Sequence, residues 1–167
     1  MIKESIKKFL EKSDEVGQVL NKDGLESLNS KLDGLIPEWY IEIVCSMPLA
    51  GLNVGWQAFP PEDDFNGVEE ITILDTSLLN DCNIESYPGK YLLKIGYFTF
   101  GYGSNWSRNC FVFNPLEGSN PPVYEVWHDV AQSPKDMLLA IKEKKGVSIV
   151  ATKFSELFDS AVFESST

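Results

Sequence analysis

The sequence holds a single histidine, His128, and three cysteines, Cys45, Cys82 and Cys110. One histidine excludes a two-histidine metal centre within the chain, and the cysteines have no CxxC or other ligand-like spacing. An odd number of thiols cannot pair fully, so reduced cysteines in a cytoplasmic protein are expected. Basic residues are missing from a long interval. Between Lys31 and Lys90 there is no lysine or arginine, yet the interval carries Asp33, Glu38, Glu42, Glu62, Asp63, Asp64, Glu69, Glu70, Asp75, Asp81 and Glu85. No apolar run is long enough to span a membrane, and the start Met1-Ile2-Lys3-Glu4-Ser5-Ile6 has no apolar signal core. GxSxG and HExxH motifs are absent, as are internal repeats and low-complexity tracts. Gly101-Tyr102-Gly103 is no phosphate loop: the third glycine of a dinucleotide fingerprint would fall on Trp106, and no Walker lysine follows.

What is present suits one ordinary folded domain. The chain has 167 residues, 43% of them hydrophobic and 12% aromatic, with a net charge of -11. A domain of about 150 residues buries roughly 70% of the surface its unfolded chain exposes, so the core needs no disulfide or metal. The negative field repels nucleic acid and anionic membranes and favours a basic partner.

The chain is organised around Tyr91–Asp129. Three short runs rich in aromatic and β-branched residues lie there: Tyr91–Phe100, Cys110–Asn114 and Val123–Asp129. Turn formers and the polar link Gly101–Asn109 separate them, which predicts an antiparallel meander. The first two runs are almost wholly apolar, so both their faces should be covered. Further strands are expected over Gly51–Phe59, stopped by Pro60-Pro61, over Val68–Leu74, and as an edge strand over Val147–Val150.

Helical spacing of Ile2, Ile6, Phe9 and Leu10 predicts a first amphipathic helix. Leu25, Leu28, Leu32 and Leu35 are interrupted by Gly34 and read as loop or weak helix. Pro37–Met47 has proline at a helix start, Tyr40, Ile43 and Val44 on one face, and Pro48 as a stop. Thr76–Tyr87 reads as a connection with a helical turn, and Pro88-Gly89 as a turn. Ser133 is a suitable N-cap for a helix running to about Lys145, closed by Gly146. Phe154, Leu157, Phe158, Ala161 and Val162 predict a last helix over Lys153–Phe163. The expected fold is a single α+β domain over residues 1–167: a central, mainly antiparallel sheet of about six strands, with N-terminal and C-terminal helices packed on it.

Candidate chemistry is sparse. His128-Asp129 with Cys110 or a serine suggests a base and nucleophile, but neighbours on a strand point to opposite faces, so a solvated histidine is the simpler reading. Glu62-Asp63-Asp64 and Glu69-Glu70 lack the further ligands of a cation site and read as a solvated face. Asn105-Trp106-Ser107 fits a glycosylation triplet, which a cytoplasmic chain does not use. Trp56, Trp106, Trp127, Tyr97 and Tyr102 are interface-type aromatics, mostly expected in the core. Trp106, in the polar link, is expected to be exposed. With Glu62, Asp63, Asp64, Glu69, Glu70 and Asp75 it would form a docking face for a basic protein. No cofactor, metal or catalytic residue is expected.

Several segments resemble the SUKH superfamily, which includes yeast cell-wall-synthesis regulators and bacterial toxin-immunity proteins. They are Leu35-Ile36-Pro37-Glu38-Trp39-Tyr40, Ile95-Gly96, Phe111-Val112-Phe113-Asn114, Pro122–Asp129 and Val150–Phe158. The resemblance covers about residues 30–163 and implies a non-enzymatic α+β domain that binds and neutralises a toxin, often a nuclease. A regulatory scaffold that engages a cellular protein is the alternative it implies.

Overall fold

The computed structural model describes residues 1–104 and 108–163. Six strands lie in sequence order across one antiparallel sheet. They are β1 (Asn53–Gln57), β2 (Val68–Ile73), β3 (Phe98–Gly103), β4 (Cys110–Phe113), β5 (Val123–Val126) and β6 (Val147–Ala151). Each pairs with its chain neighbour. β3 and β4 are central and covered on both faces, as their apolar composition predicts. The helices among the described residues are α1 (Ile2–Lys12), α2 (Lys22–Lys31), α3 (Glu38–Ser46), α4 (Thr76–Asn80), α5 (Gly89–Lys94), α6 (Pro134–Glu143) and α7 (Phe154–Asp159). A π-helical turn, Asp81–Glu85, joins α4 towards α5. The α+β architecture with helices from both ends of the chain is the one expected.

The larger core lies where α1, α3 and α7 meet one face of the sheet. Its centre is aromatic. The Tyr40 ring sits 5.4 Å from Phe98, 5.8 Å from Phe113 and 6.0 Å from Phe154, mostly edge to face. Phe9 of α1 meets Phe158 of α7 at 5.5 Å. A smaller cluster on the opposite face joins Leu92 of α5, Met137 of α6 and the strand residues Cys110, Val112 and Val126.

Four departures from the sequence reading have identifiable causes. The run Tyr91–Phe100 is not one strand: its first part is α5, and β3 begins only at Phe98. α5 ends in a Schellman motif, in which Gly96 N–H donates to the Leu93 carbonyl and Tyr97 N–H to the Leu92 carbonyl. Gly96 has φ +91°, a conformation glycine adopts without strain. That local stop outweighs the β propensity of Tyr91 and Ile95. Consequently Gly101–Gly103, expected in the link, belongs to β3.

The weakly periodic leucine region forms α2. Its N-cap Asn21 accepts from Gly24 N–H at 2.9 Å, and Asp33 and Gly34 close its end, both with positive φ. Gly34 therefore terminates the helix rather than weakening it. α6 is capped by Ser133 as expected, but Lys144 rather than Gly146 takes the left-handed position at its end. α7 stops at Asp159, because Val162 N–H donates to the Gly55 carbonyl and draws the chain onto the edge of β1.

Among the described residues no helix is long and apolar enough to cross a membrane.

The Tyr40 side chain is fully buried, and among the described residues its hydroxyl has no hydrogen-bond partner. Burial holds the phenol well above its usual range. An unsatisfied buried hydroxyl costs about 1–3 kcal/mol. Tyr40→Phe is therefore expected to stabilise the fold by about 1 kcal/mol, read as a higher urea midpoint at unchanged m value.

Candidate functional sites

The β1–β2 hairpin builds the first candidate site. Glu62 N–H donates to the Phe65 carbonyl at 2.6 Å and Phe65 N–H to Glu62 at 3.2 Å, which pinches Asp63-Asp64 into a tight turn. Beneath it, Ala58 and Phe59 N–H both donate to the Gly67 carbonyl, at 2.9 and 3.1 Å. The Gln57 side-chain amide donates to the Phe59 and Asn66 carbonyls, at 2.8 and 2.7 Å. Gly67 has φ +77°, and a Cβ there would come within 2.1 Å of the Phe59 carbonyl oxygen, so no side chain fits. The loop is thus held by its own backbone. It displays Phe59 and Phe65, 53% and 45% exposed, with ring centroids 6.3 Å apart. Two exposed phenylalanines flanking three exposed carboxylates form a preorganised acidic and aromatic tip.

The other acids expected in this face do not join it. Glu69 and Glu70 are adjacent on β2 and project to opposite sides of the sheet, both half-buried. Asp75 lies past the far end of β2 and caps α4, its Oδ1 accepting from Leu78 N–H at 2.9 Å. Trp106, with Asn105 and Ser107, falls outside the described residues. Trp56 is half-buried against Phe111, Tyr97 and Tyr102 are half-buried, and Trp127 is 52% exposed. The sequence places Phe59 in the first strand, which ends instead at Gln57, and Phe65 has no distinguishing pattern. They become a pair only because the turn folds the chain back on itself.

The second candidate site is a cavity of about 560 Å³ on the face of the sheet opposite the aromatic core. Thr72, Tyr102 and Cys110 form its floor. Leu74 and Leu78 with Asp81, Cys82, Ser86 and Tyr87 form one wall, and Arg108 and His128 stand at the other side. Arg108 is the chain's sole arginine and His128 its sole histidine. β5 ends at Val126, so His128 and Asp129 lie in a turn, and His128 is free of strand alternation. Its backbone N–H donates to Asn109 Oδ1 at 3.2 Å, and its ring Nδ1 lies 3.4 Å from the same oxygen. Asn109 Nδ2 in turn donates to Glu125 Oε2 at 3.3 Å.

The cavity brings Cys110 and His128 to a common space, but Cys110 is no activated nucleophile. Burial pushes its thiol up to about 12, and burial likewise raises Cys82 to about 11. Both are neutral thiols at physiological pH. Among the described residues no group of His, Cys, Asp or Glu is arranged to hold a metal ion.

The cavity wall is pinned by one buried amide. Asn83, within the π-helical turn, is fully buried. Its Nδ2 donates to the Leu79 and Thr99 carbonyls, both at 2.9 Å, and its Oδ1 accepts from Thr99 N–H at 3.0 Å. β2 pairs with β3 only over Gly101–Gly103, so at Thr99 the asparagine stands where a neighbouring strand would be. The sequence carried one clue to this cavity, the sole arginine and the sole histidine placed either side of the β4–β5 hairpin. Its walls come from segments too far apart in the chain to be associated by spacing.

Two predictions follow from this geometry. Asn83→Ala removes the side chain that pairs the buried Thr99 N–H and carbonyl, at about 1–3 kcal/mol each, and should cost about 3 kcal/mol in chemical denaturation. Glu125 has its carboxyl raised, chiefly by burial and also by Glu69. A raised carboxyl favours the fold while protonated, and that contribution is lost as pH rises through the folded value. Glu125→Gln should therefore gain stability over the wild type as pH rises from the acid range to neutrality, measured by thermal melts across that range.

No protein-family model, curated protein or solved structure matches the chain.

Proposed function

We propose that the protein is a cytoplasmic immunity-type binder of the SUKH kind, which neutralises a basic, nuclease-like bacterial toxin by occupying its cationic surface. The observation that carries this reading is the hairpin tip, where Glu62, Asp63 and Asp64 stand between the exposed rings of Phe59 and Phe65 on a loop held by its own hydrogen bonds. Charge complementarity steers encounter, and buried aromatics hold the complex once formed. A preorganised loop loses little conformational freedom on docking, which favours affinity. The net charge of -11 and the absence of lysine and arginine between Lys31 and Lys90 extend the same negative field around the tip. In this reading the chain acts by shape and potential, and makes or breaks no bond.

The test is calorimetry and surface binding kinetics with the basic protein encoded beside this gene. Glu62→Lys, Asp63→Lys and Asp64→Lys together should slow association at least about tenfold at low salt, with the difference shrinking as salt rises. Phe59→Ala with Phe65→Ala should act mainly on dissociation. Absence of binding, or binding indifferent to both sets, rejects the reading.

A further inference from the structure

We infer that the cavity between the β2–β4 sheet face and the π-helical turn binds a small organic carboxylate with a flat, apolar body. The size fits: about 560 Å³ lies within the range of roughly 300–1,000 Å³ typical of small-molecule sites. The charge arrangement points to the head group. In a chain of net charge -11, the only arginine and the only histidine border this one space. Among the described residues Arg108 forms no ion pair, so its guanidinium fork has no internal carboxylate to satisfy it. A planar guanidinium matches a planar carboxylate in bidentate geometry.

His128 is held in place beside it. The ring's Nδ1 faces Asn109, which leaves Nε2 for a ligand. The opposite wall supplies the apolar part. Leu74, Leu78 and Tyr87 there, with Tyr102 of the floor, present two aliphatic and two aromatic side chains, surfaces that pack against a flat ring. Tyr87 is steadied by stacking on Tyr91 at 4.6 Å and by Lys90, whose Nζ lies 5.3 Å from its ring centroid. Asp81 on the same wall accepts hydrogen bonds, and so favours a carboxylate whose body carries a hydroxyl. Cys82 and Cys110, both neutral thiols, add polarisable apolar surface and no competing charge.

This site is separate from the hairpin tip, and its test needs no partner protein. The full chain is titrated by calorimetry and ligand-observed NMR with 4-hydroxyphenylacetate, with its neutral counterpart 4-ethylphenol and with the cation tyramine. Saturable binding of the acid is expected, at least tenfold tighter than either of the others. Arg108→Gln should weaken the acid at least tenfold and leave 4-ethylphenol unchanged, with an unaltered thermal melt. Leu78→Trp fills the cavity from a partly exposed position and should abolish binding of all three. The proposal is overturned if no compound saturates at millimolar concentration, if the neutral compound or tyramine equals the acid, or if either variant binds the acid like the wild type.

Discussion

A side-chain amide standing in for a strand is the constraint on which the cavity side of this protein depends. β2 turns away after Ile73, and β3 continues beyond it, which exposes the Thr99 N–H and carbonyl inside the protein. Buried backbone groups must be paired, and among the described residues a side chain pairs these two. Asn83 offers a donor and an acceptor in the geometry of a peptide group, and takes both. Because Asn83 belongs to the π-helical turn, the same bonds fix that turn against the sheet. The gap between them is the cavity, so an unmet hydrogen-bond demand in β3 determines where a cleft opens.

The two candidate sites are held by different means. The hairpin tip is a short loop whose backbone bonds close on themselves, so its shape is nearly independent of the core. The cavity is a composite of β2, β3, β4, the α4–α5 connection and the turn after β5. Its polar side chains are set by contacts that cross the sheet, such as the line from Glu125 through Asn109 to His128. Damage to the core should reach the cavity well before it reaches the tip.

Much of the architecture was legible in the sequence, because periodicity reports burial. The strands over Asn53–Gln57, Val68–Ile73 and Cys110–Phe113 and the helix of Tyr40 all follow from apolar patterning and from proline stops. Failures came where a local closing motif competed with propensity. Tyr91-Leu92-Leu93 reads as a strand by composition, yet Gly96 ends a helix there. Glu69, Glu70 and Asp75 share the charge of the hairpin tip but are divided from it by strand alternation and by the length of β2. The cavity was illegible for another reason: Asp81, Arg108 and His128 share no spacing rule, and only the fold brings them together.

One further consequence comes from the two margins of the sheet. At β1, Val162 N–H donates to the Gly55 carbonyl at 2.9 Å, and the Glu15 carboxylate accepts from Asn53 N–H at 3.1 Å. β6, at the other margin, has no such cover among the described residues and exposes Ile149. Strand-to-strand association through a single open margin joins two molecules back to back and then has nowhere to continue. Such a sheet can form a pair, but it resists growing into a fibre.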